Sequence, residues 1–285
     1  MLVATSIPTV LREVFGPRRF PREPEPPLME DADQVQAYSA TGESGGLLSA
    51  SYVYHTEQIT RVIQGANSVI DLGCGSGRQL CQIAAVNPNC SFLGIDLSSN
   101  MLASARQYSE KIGLKNISFL HGDITDLGAI PSGSADAVIS TLALHHLPSR
   151  AHLNKCFGEA SRVLRANGRI YIADFGRLKS LKSVLYLAYM DAADQPHIVS
   201  LDYERSLRAA FTLEDFREAY LLVSAHGAGL FSTFKVPFLV VIKTPSLPLS
   251  AMHAAHISQL QAGLSPKYRR VIRLLNTLFF MGGMR

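Results

Sequence analysis

Two acidic residues and a run of glycines are the first features of this chain whose order suggests chemistry. Val69-Ile70-Asp71-Leu72 is an apolar stretch carrying an acid, and Gly73-Cys74-Gly75-Ser76-Gly77 follows it directly. Glycines there let the backbone turn tightly and approach a ligand without side-chain obstruction. Phe92-Leu93-Gly94-Ile95 is a second apolar run, closed by Asp96, 19 residues past Gly77. At that place in a βαβ unit a carboxylate can accept hydrogen bonds from both ribose hydroxyls of a nucleoside. The glycine spacing is GxGxG, and Arg78 stands where a dinucleotide site wants its third small residue. An adenosyl-type cofactor is therefore expected, and S-adenosylmethionine fits the spacing better than a dinucleotide. Further along, His145, His146 and Asp174 are side chains able to handle protons.

These residues need elements to position them. Short apolar runs at Val69–Leu72, Phe92–Ile95, Ile117–Leu120, Ala137–Thr141 and Ile170–Ala173 predict strands. Between them, Arg78–Val86, Ser99–Ile112 and Arg150–Leu164 have apolar residues at helical spacing. Near-continuous apolar strands separated by helices predict a parallel sheet buried on both faces, hence a doubly wound, Rossmann-like α/β fold. Leu230–Lys235 and Pro237–Thr244 read as two closing strands joined tightly, giving a seven-stranded sheet, mostly parallel with one antiparallel strand. Thr212 reads as the cap of a helix, with Asp215 three residues on.

Of 285 residues, 47% are hydrophobic and 18% charged, which excludes a disordered chain. No apolar run is long enough to span a bilayer. Four cysteines without paired spacing exclude a disulfide scaffold, and the expectation is a reduced, cytoplasmic, soluble protein. The net charge of +4 is uneven, because seven basic residues and no carboxylate follow Glu218. Basicity confined to the tail is a poor footprint for nucleic acid, and none is expected as a partner.

Residues 69–176 resemble the class I S-adenosylmethionine-dependent methyltransferases. The matching pieces are Val69–Gly77, Gly94–Leu102, His121–Thr125, Ala135–Ser140, Leu144–Pro148 and Glu159–Arg169, in the family's order and spacing. The resemblance implies S-adenosylmethionine as cofactor and S-adenosylhomocysteine as product. It implies that Asp71 and the loop Gly73, Cys74, Gly75 and Gly77 hold the methionine end. By the same resemblance Asp96 takes the ribose hydroxyls, Leu97 and Met101 pack near the adenine, and Asp123 bonds the adenine amino group with Ile124 beside the ring. Taken alone, Asp123 in His-Gly-Asp is more safely read as a turn residue.

Methyl transfer from a sulfonium is an in-line displacement, so the protein mainly aligns the acceptor and needs a base only if the acceptor carries a proton. Such a base belongs at the carboxyl ends of the fourth and fifth strands, which makes His145, His146 and Asp174 the catalytic candidates. A turn-shaping role for one histidine and a turn cap at Asp174 are the plain alternatives.

The rest of the chain divides into a Pro-rich arm (1–29), a helical lid (30–64), the cofactor-binding domain (65–244) with a helical insertion at 178–210, and a helical tail (245–285). The arm is expected to lie outside the core, since six of fourteen prolines precede residue 28. Tyr54 and His55 of the lid, with Tyr186, Tyr189 and Tyr203 of the insertion, are the candidate acceptor-binding residues, although aromatics at such positions are often plain core. A small, partly apolar acceptor is expected, methylated on oxygen, nitrogen or carbon. A carrier-bound or peptide substrate, or a catalytically silent cofactor-binding partner subunit, are the alternatives. The motif of amino-methylating nucleic-acid enzymes is absent after the fourth strand, where Thr141-Leu142-Ala143-Leu144 stands. The cysteines are not placed to bind arsenic. His253 and His256 lie one turn apart without a third ligand, so no metal is expected. The tail helix, with Val271, Leu274, Leu275 and Leu278 on one face, either packs on its own domain or pairs two copies of the chain.

Overall fold

The computed structural model describes residues 7–18, 20–25 and 48–285. Most of the expected lid (30–47), with its glycine-rich break, and residues 1–6, 19 and 26–29 of the arm lie outside the described residues.

The sheet has seven strands: β1 (Ser68–Leu72), β2 (Ser91–Asp96), β3 (Ile117–His121), β4 (Ala135–Thr141), β5 (Leu164–Phe175), β6 (Gly229–Ser232) and β7 (Leu239–Lys243). Their order is β3-β2-β1-β4-β5-β7-β6. Only β7 runs against the others, pairing antiparallel with both β5 and β6. The strand order reverses between β1 and β4, which pair in parallel with Ile70 beside Val138. In open α/β sheets ligands bind at the carboxyl ends of strands beside such a reversal. β5 is longer at both ends than its apolar run. β6 stops at Ser232, because Thr233–Pro237 form the turn, where the Thr233 hydroxyl donates to the Val236 carbonyl at 2.7 Å.

Helices α1 (Ile7–Phe15), α2 (Ser49–Val62), α3 (Arg78–Val86), α4 (Ser99–Lys111), α5 (Arg150–Val163), α6 (Leu181–Tyr189), α7 (His197–Ala209), α8 (Leu213–Tyr220), α9 (Ala251–Ala262) and α10 (Pro266–Met281) surround it. Two apolar clusters form the core, one joining α2, α3, α6 and α10 to the sheet and the other joining α5 and α8 to it. Polar residues set the helix starts. The Ser98 hydroxyl accepts from Met101 N at α4, and Thr212 and Asp215 form a reciprocal capping box at α8. The tail helix α10 buries Val271, Ile272, Leu275 and Phe279 in its own domain, with Phe279 stacked on Tyr54. This face is turned from the expected one, and Leu274 and Leu278 are only half buried.

The arm corrects its sequence reading, for it is docked and partly core. Thr9 and Glu13 of α1 are buried, and the Glu13 carboxylate accepts from Lys179 N and Ser180 N at the start of α6. An arm residue thus supplies charge to the N-terminus of a helix some 170 positions away in sequence. The prolines fix an extended path, but burial follows from what that path touches.

Candidate functional site

The cleft at the carboxyl ends of β1 and β2 is built by the glycine loop. Gly73 and Cys74 donate their amides to the Ile95 carbonyl at 2.8 and 3.0 Å, which pins the loop to β2. Gly73 has φ of 76°, and a Cβ there would lie 2.5 Å from Ala143 Cβ. Only glycine fits both constraints. Asp96 accepts from Gly75 N through Oδ2 at 2.8 Å and from Ser98 N through Oδ1 at 2.9 Å. Each oxygen keeps a lone pair for a ligand hydroxyl. Gly73, Gly75, Asp96, Leu97, Met101, Asp123 and Ile124 line a cleft of about 1040 Å³ that opens to solvent. Asp123 also accepts from Thr125 N at 2.8 Å, so both of its sequence readings describe its surroundings.

Three of the expected cofactor residues stand behind this wall. Cys74 points its sulfur toward Gly94 and the core, Gly77 is packed against Ala105 as it opens α3, and Asp71 is buried beneath the loop. Of the expected loop residues Cys74 does not line the cleft, and its thiol faces away from it. Burial, then the nearby Asp96 charge, pushes Asp71 up to about 8. No described residue donates a hydrogen bond to its carboxylate, which leaves it suited to a cationic ligand group.

A second cavity, of about 1250 Å³ and also open, adjoins the first. Leu142 and His146 line both. Leu142 holds a φ of 52°, a conformation that costs a non-glycine residue about 1–3 kcal/mol and gathers at functional sites. The second cavity is walled by apolar Phe175, Leu187, Ile198, Val199, Leu239 and Val271. Its polar side chains include His145, Gln195, Asp202 and Arg205. α7 and the tail helix thus complete a pocket that begins at β4.

His145 and Asp174 are joined. His145 Nδ1 donates to Asp174 Oδ1 at 2.7 Å, and the backbone amides of His145 and Phe175 donate to the same carboxylate. Burial disfavours a charged imidazole, but the charge and hydrogen bond of Asp174, with Glu25 and Asp202 nearby, outweigh it and raise His145. His146 pairs through Nδ1 with Glu25 Oε2 at 3.1 Å, and the two imidazole rings lie 4.4 Å apart. Glu25 is held below the usual carboxylate range, because the hydrogen bond and charge of His146, with the charge of His145, outweigh the opposing effect of burial.

Arg22 and Glu25 of the arm are the site residues that sequence reasoning missed. The Arg22 guanidinium donates to the carbonyls of His145, Leu147, Pro148 and Ala209 at 2.6–2.9 Å and lies over the Phe211 ring. Burial, then the neighbouring Arg177, lowers it to about 10. The only available signal was a pair of charges among prolines, which on its own reads as solvent-exposed.

The aromatic candidates divide. Tyr203 lines the second cavity. Tyr54 and His55 do not line either cavity, a correction to the lid assignment: both are fully buried, and His55 Nδ1 shares a 2.8 Å hydrogen bond with the Tyr171 hydroxyl. Burial lowers His55 to about 3, so it is neutral. Tyr186 packs against the core, and Tyr189 spends its hydroxyl on Glu204 at 2.8 Å. Both lie outside the lining, because their face of α6 turns away from the cavity that Leu187 meets.

S-adenosylmethionine fits this geometry. The buried, unpaired Asp71 suits an ammonium, Asp96 has capacity for two hydroxyls, and the lining beside Met101 and Ile124 suits an adenine ring. A model of the methyltransferase domain matches residues 63–207, which is 145 of the 285 residues. The chain is 35% identical over 114 residues to an arsenite methyltransferase of Aquipseudomonas alcaligenes, covering 37% of this chain and 32% of that one. It is 42% identical over 85 residues to a trans-aconitate 2-methyltransferase of Deinococcus radiodurans, covering 30% of each. It is 30% identical over 114 residues to 27-O-demethylrifamycin SV methyltransferase of Amycolatopsis mediterranei, covering 40% of each. The matched stretch therefore spans about a third of the length of these relatives. Among solved structures, the plantazolicin methyltransferase BpumL, in complex with a pentazolic desmethylPZN analog and SAH, superposes with a TM-score of 0.56 at 18% identity over 84% of this chain and 88% of that one. A methyltransferase from Aquifex aeolicus gives 0.51 at 17% identity over 75% and 98%. With the family model covering half the chain and the sheet order in agreement, the chain belongs to the class I S-adenosylmethionine-dependent methyltransferases.

Proposed function

We propose that the chain transfers a methyl group from S-adenosylmethionine to a small, partly apolar acceptor held in the cavity walled by α7 and α10. The observation that carries this reading is that Leu142 and His146 line both cavities, so a cofactor in one and an acceptor in the other meet at that wall. The cofactor supplies, when bound, a methyl carbon already activated by its sulfonium. Gly73, Gly75, Asp96 and Asp123 would fix it, and the apolar residues of the second cavity would exclude water and orient the acceptor. At that wall the cofactor would supply its methyl carbon to an acceptor lone pair, with the thioether sulfur leaving with the electron pair. Where the acceptor carries a proton, His145 with Asp174 and His146 with Glu25 are the groups placed to activate it.

The relatives' named acceptors include arsenite, trans-aconitate and a demethylrifamycin. Arsenite is disfavoured here, because none of the four cysteines lines either cavity. The mixed apolar and polar lining favours an organic acceptor. The test is a screen of hydroxylated, enolic and amine-bearing small molecules for methylation by mass spectrometry, beside calorimetric titration with S-adenosylmethionine, S-adenosylhomocysteine and NADH. Methylation of a free small molecule, lost in His146→Gln, supports the reading. Turnover only of carrier-bound or peptide substrates, or cofactor binding with no turnover at all, overturns it.

A further inference from the structure

We propose that Glu25, His145 and His146 form a binding site for a divalent transition-metal ion of the zinc or iron(II) class, set in the wall between the two cavities. One ligand atom from each residue lies within 4.8 Å of the others. Two imidazoles and one carboxylate, from two points of the chain, make a donor set that such ions favour, with positions left open for another ligand.

The details agree with coordination. At metal–ligand distances near 2.1 Å, two ligand atoms on one ion are separated by about 3.0–3.4 Å. Glu25 Oε2 and His146 Nδ1 stand 3.1 Å apart, within that window. A proton between them and an ion bridging them are both compatible with the spacing. The second carboxylate oxygen leaves room for an ion. The Glu25 side chain is only 7% exposed, and its Oε1 makes no hydrogen bond within 3.5 Å to the described residues, with the Ser206 hydroxyl the nearby donor. A buried carboxylate oxygen left without a partner is costly, and a cation beside it removes the cost. His145 carries the outer-shell partner that metal-bound histidines usually have: Asp174 takes Nδ1 at 2.7 Å, which leaves Nε2 with its lone pair.

The arm is what assembles the site. Arg22 clamps the turn that carries both histidines, and Glu25 follows three residues later. His145 and His146 also line the second cavity, so with the ion bound its open positions, in place of the free imidazoles, would face an acceptor oxygen or nitrogen. That last step rests on the proposed methyltransferase reading, but ion binding does not.

The test uses the full-length protein, stripped with a chelator and titrated with Co(II) while its visible ligand-field absorption is followed. One equivalent should bind, and Zn(II) should displace it. Glu25→Gln should abolish the absorption, and Asp174→Asn should weaken binding about 10- to 100-fold. The double variant His253→Gln/His256→Gln, which removes the tail pair, should leave it unchanged. Thermal unfolding of each variant reports whether it is folded. Calorimetric cofactor titration of the same samples tests the methyltransferase reading separately. The proposal is overturned if no stoichiometric Co(II) binding occurs, or if folded Glu25→Gln binds Co(II) as the natural sequence does.

Discussion

Every residue that lines the first cleft lies between Gly73 and His152, whereas the second cavity draws on residues from Leu48 to Val271. The cofactor wall is made of successive strand-to-helix loops of one sheet, each a few residues long and each positioned by the strand before it. The wall of the second cavity is assembled from α2, the β4 turn, β5, α6, α7, β7 and α10, with Arg22 and Glu25 of the arm behind it. A site built from adjacent loops is fixed by local sequence. One built from distant elements depends on how the whole domain packs, and its chemistry can differ among proteins that share the sheet.

Four substitutions probe this contrast. The largest effect is expected at Asp96. Asp96→Ala removes acceptors for two ligand hydroxyls and should weaken cofactor binding at least about a hundredfold, at roughly 1.5–3 kcal/mol for each hydrogen bond to a charged group. Calorimetry checks this, and undiminished affinity would remove the cofactor assignment of that cleft. Arg22→Ala comes next. It strands carbonyls in the turn bearing His145 and should cost roughly 3 kcal/mol in urea unfolding, while cofactor affinity changes far less than in Asp96→Ala. If the two variants lose cofactor equally, the walls are not independent.

Asp71 gives a pH signature. Its carboxyl is raised to about 8 in the fold, against about 4 in an unfolded chain. A raised carboxyl contributes stability that is fully present below about pH 4 and is lost as the pH climbs toward 8. Asp71→Asn should flatten that part of the melting-temperature profile and weaken cofactor binding most above pH 8, where the natural carboxylate is ionised. An unchanged profile would place Asp71 in a more polar setting than its burial implies. The smallest effect belongs to Tyr189→Phe, which removes one hydrogen bond to Glu204 and should cost about 1 kcal/mol or less. Any loss of acceptor turnover in that variant would extend the acceptor wall beyond its present lining.

The sheet was legible because parallel strands buried on both faces read as unbroken apolar runs, as at Val69–Leu72 and Phe92–Ile95. The helix starts at Arg78, Ser99, Arg150 and Leu213 were legible because caps and glycines act within a few residues. β6 ends before the expected Lys235, since Phe234 looks like a strand residue until Thr233 closes the turn. α9 (Ala251–Ala262) has no such signal in the sequence, because its apolar residues do not gather on one face and only Ile257 of them is buried.

The aromatics show the limit of composition. Tyr54, Tyr171 and Tyr203 have the same chemistry in the sequence, but Tyr54 and Tyr171 are core and Tyr203 lines a cavity. Periodicity reports that a residue is buried, not whether it meets another side chain or a ligand. The charges of the arm show the opposite case. Arg22 and Glu25 sit among prolines and read as solvated, yet both are held in the wall behind the two histidines.

By itself the sequence determined the doubly wound sheet, the glycine loop and the positions of Asp96 and Asp123, because strand period, turn chemistry and loop order are short-range properties of the chain. Only the tertiary structure decided which side chains line the second cavity, that the tail helix closes it on its own domain, and that Glu25 meets His146 more than a hundred residues away. Those contacts depend on distant elements packing together, and no local pattern of residues encodes them.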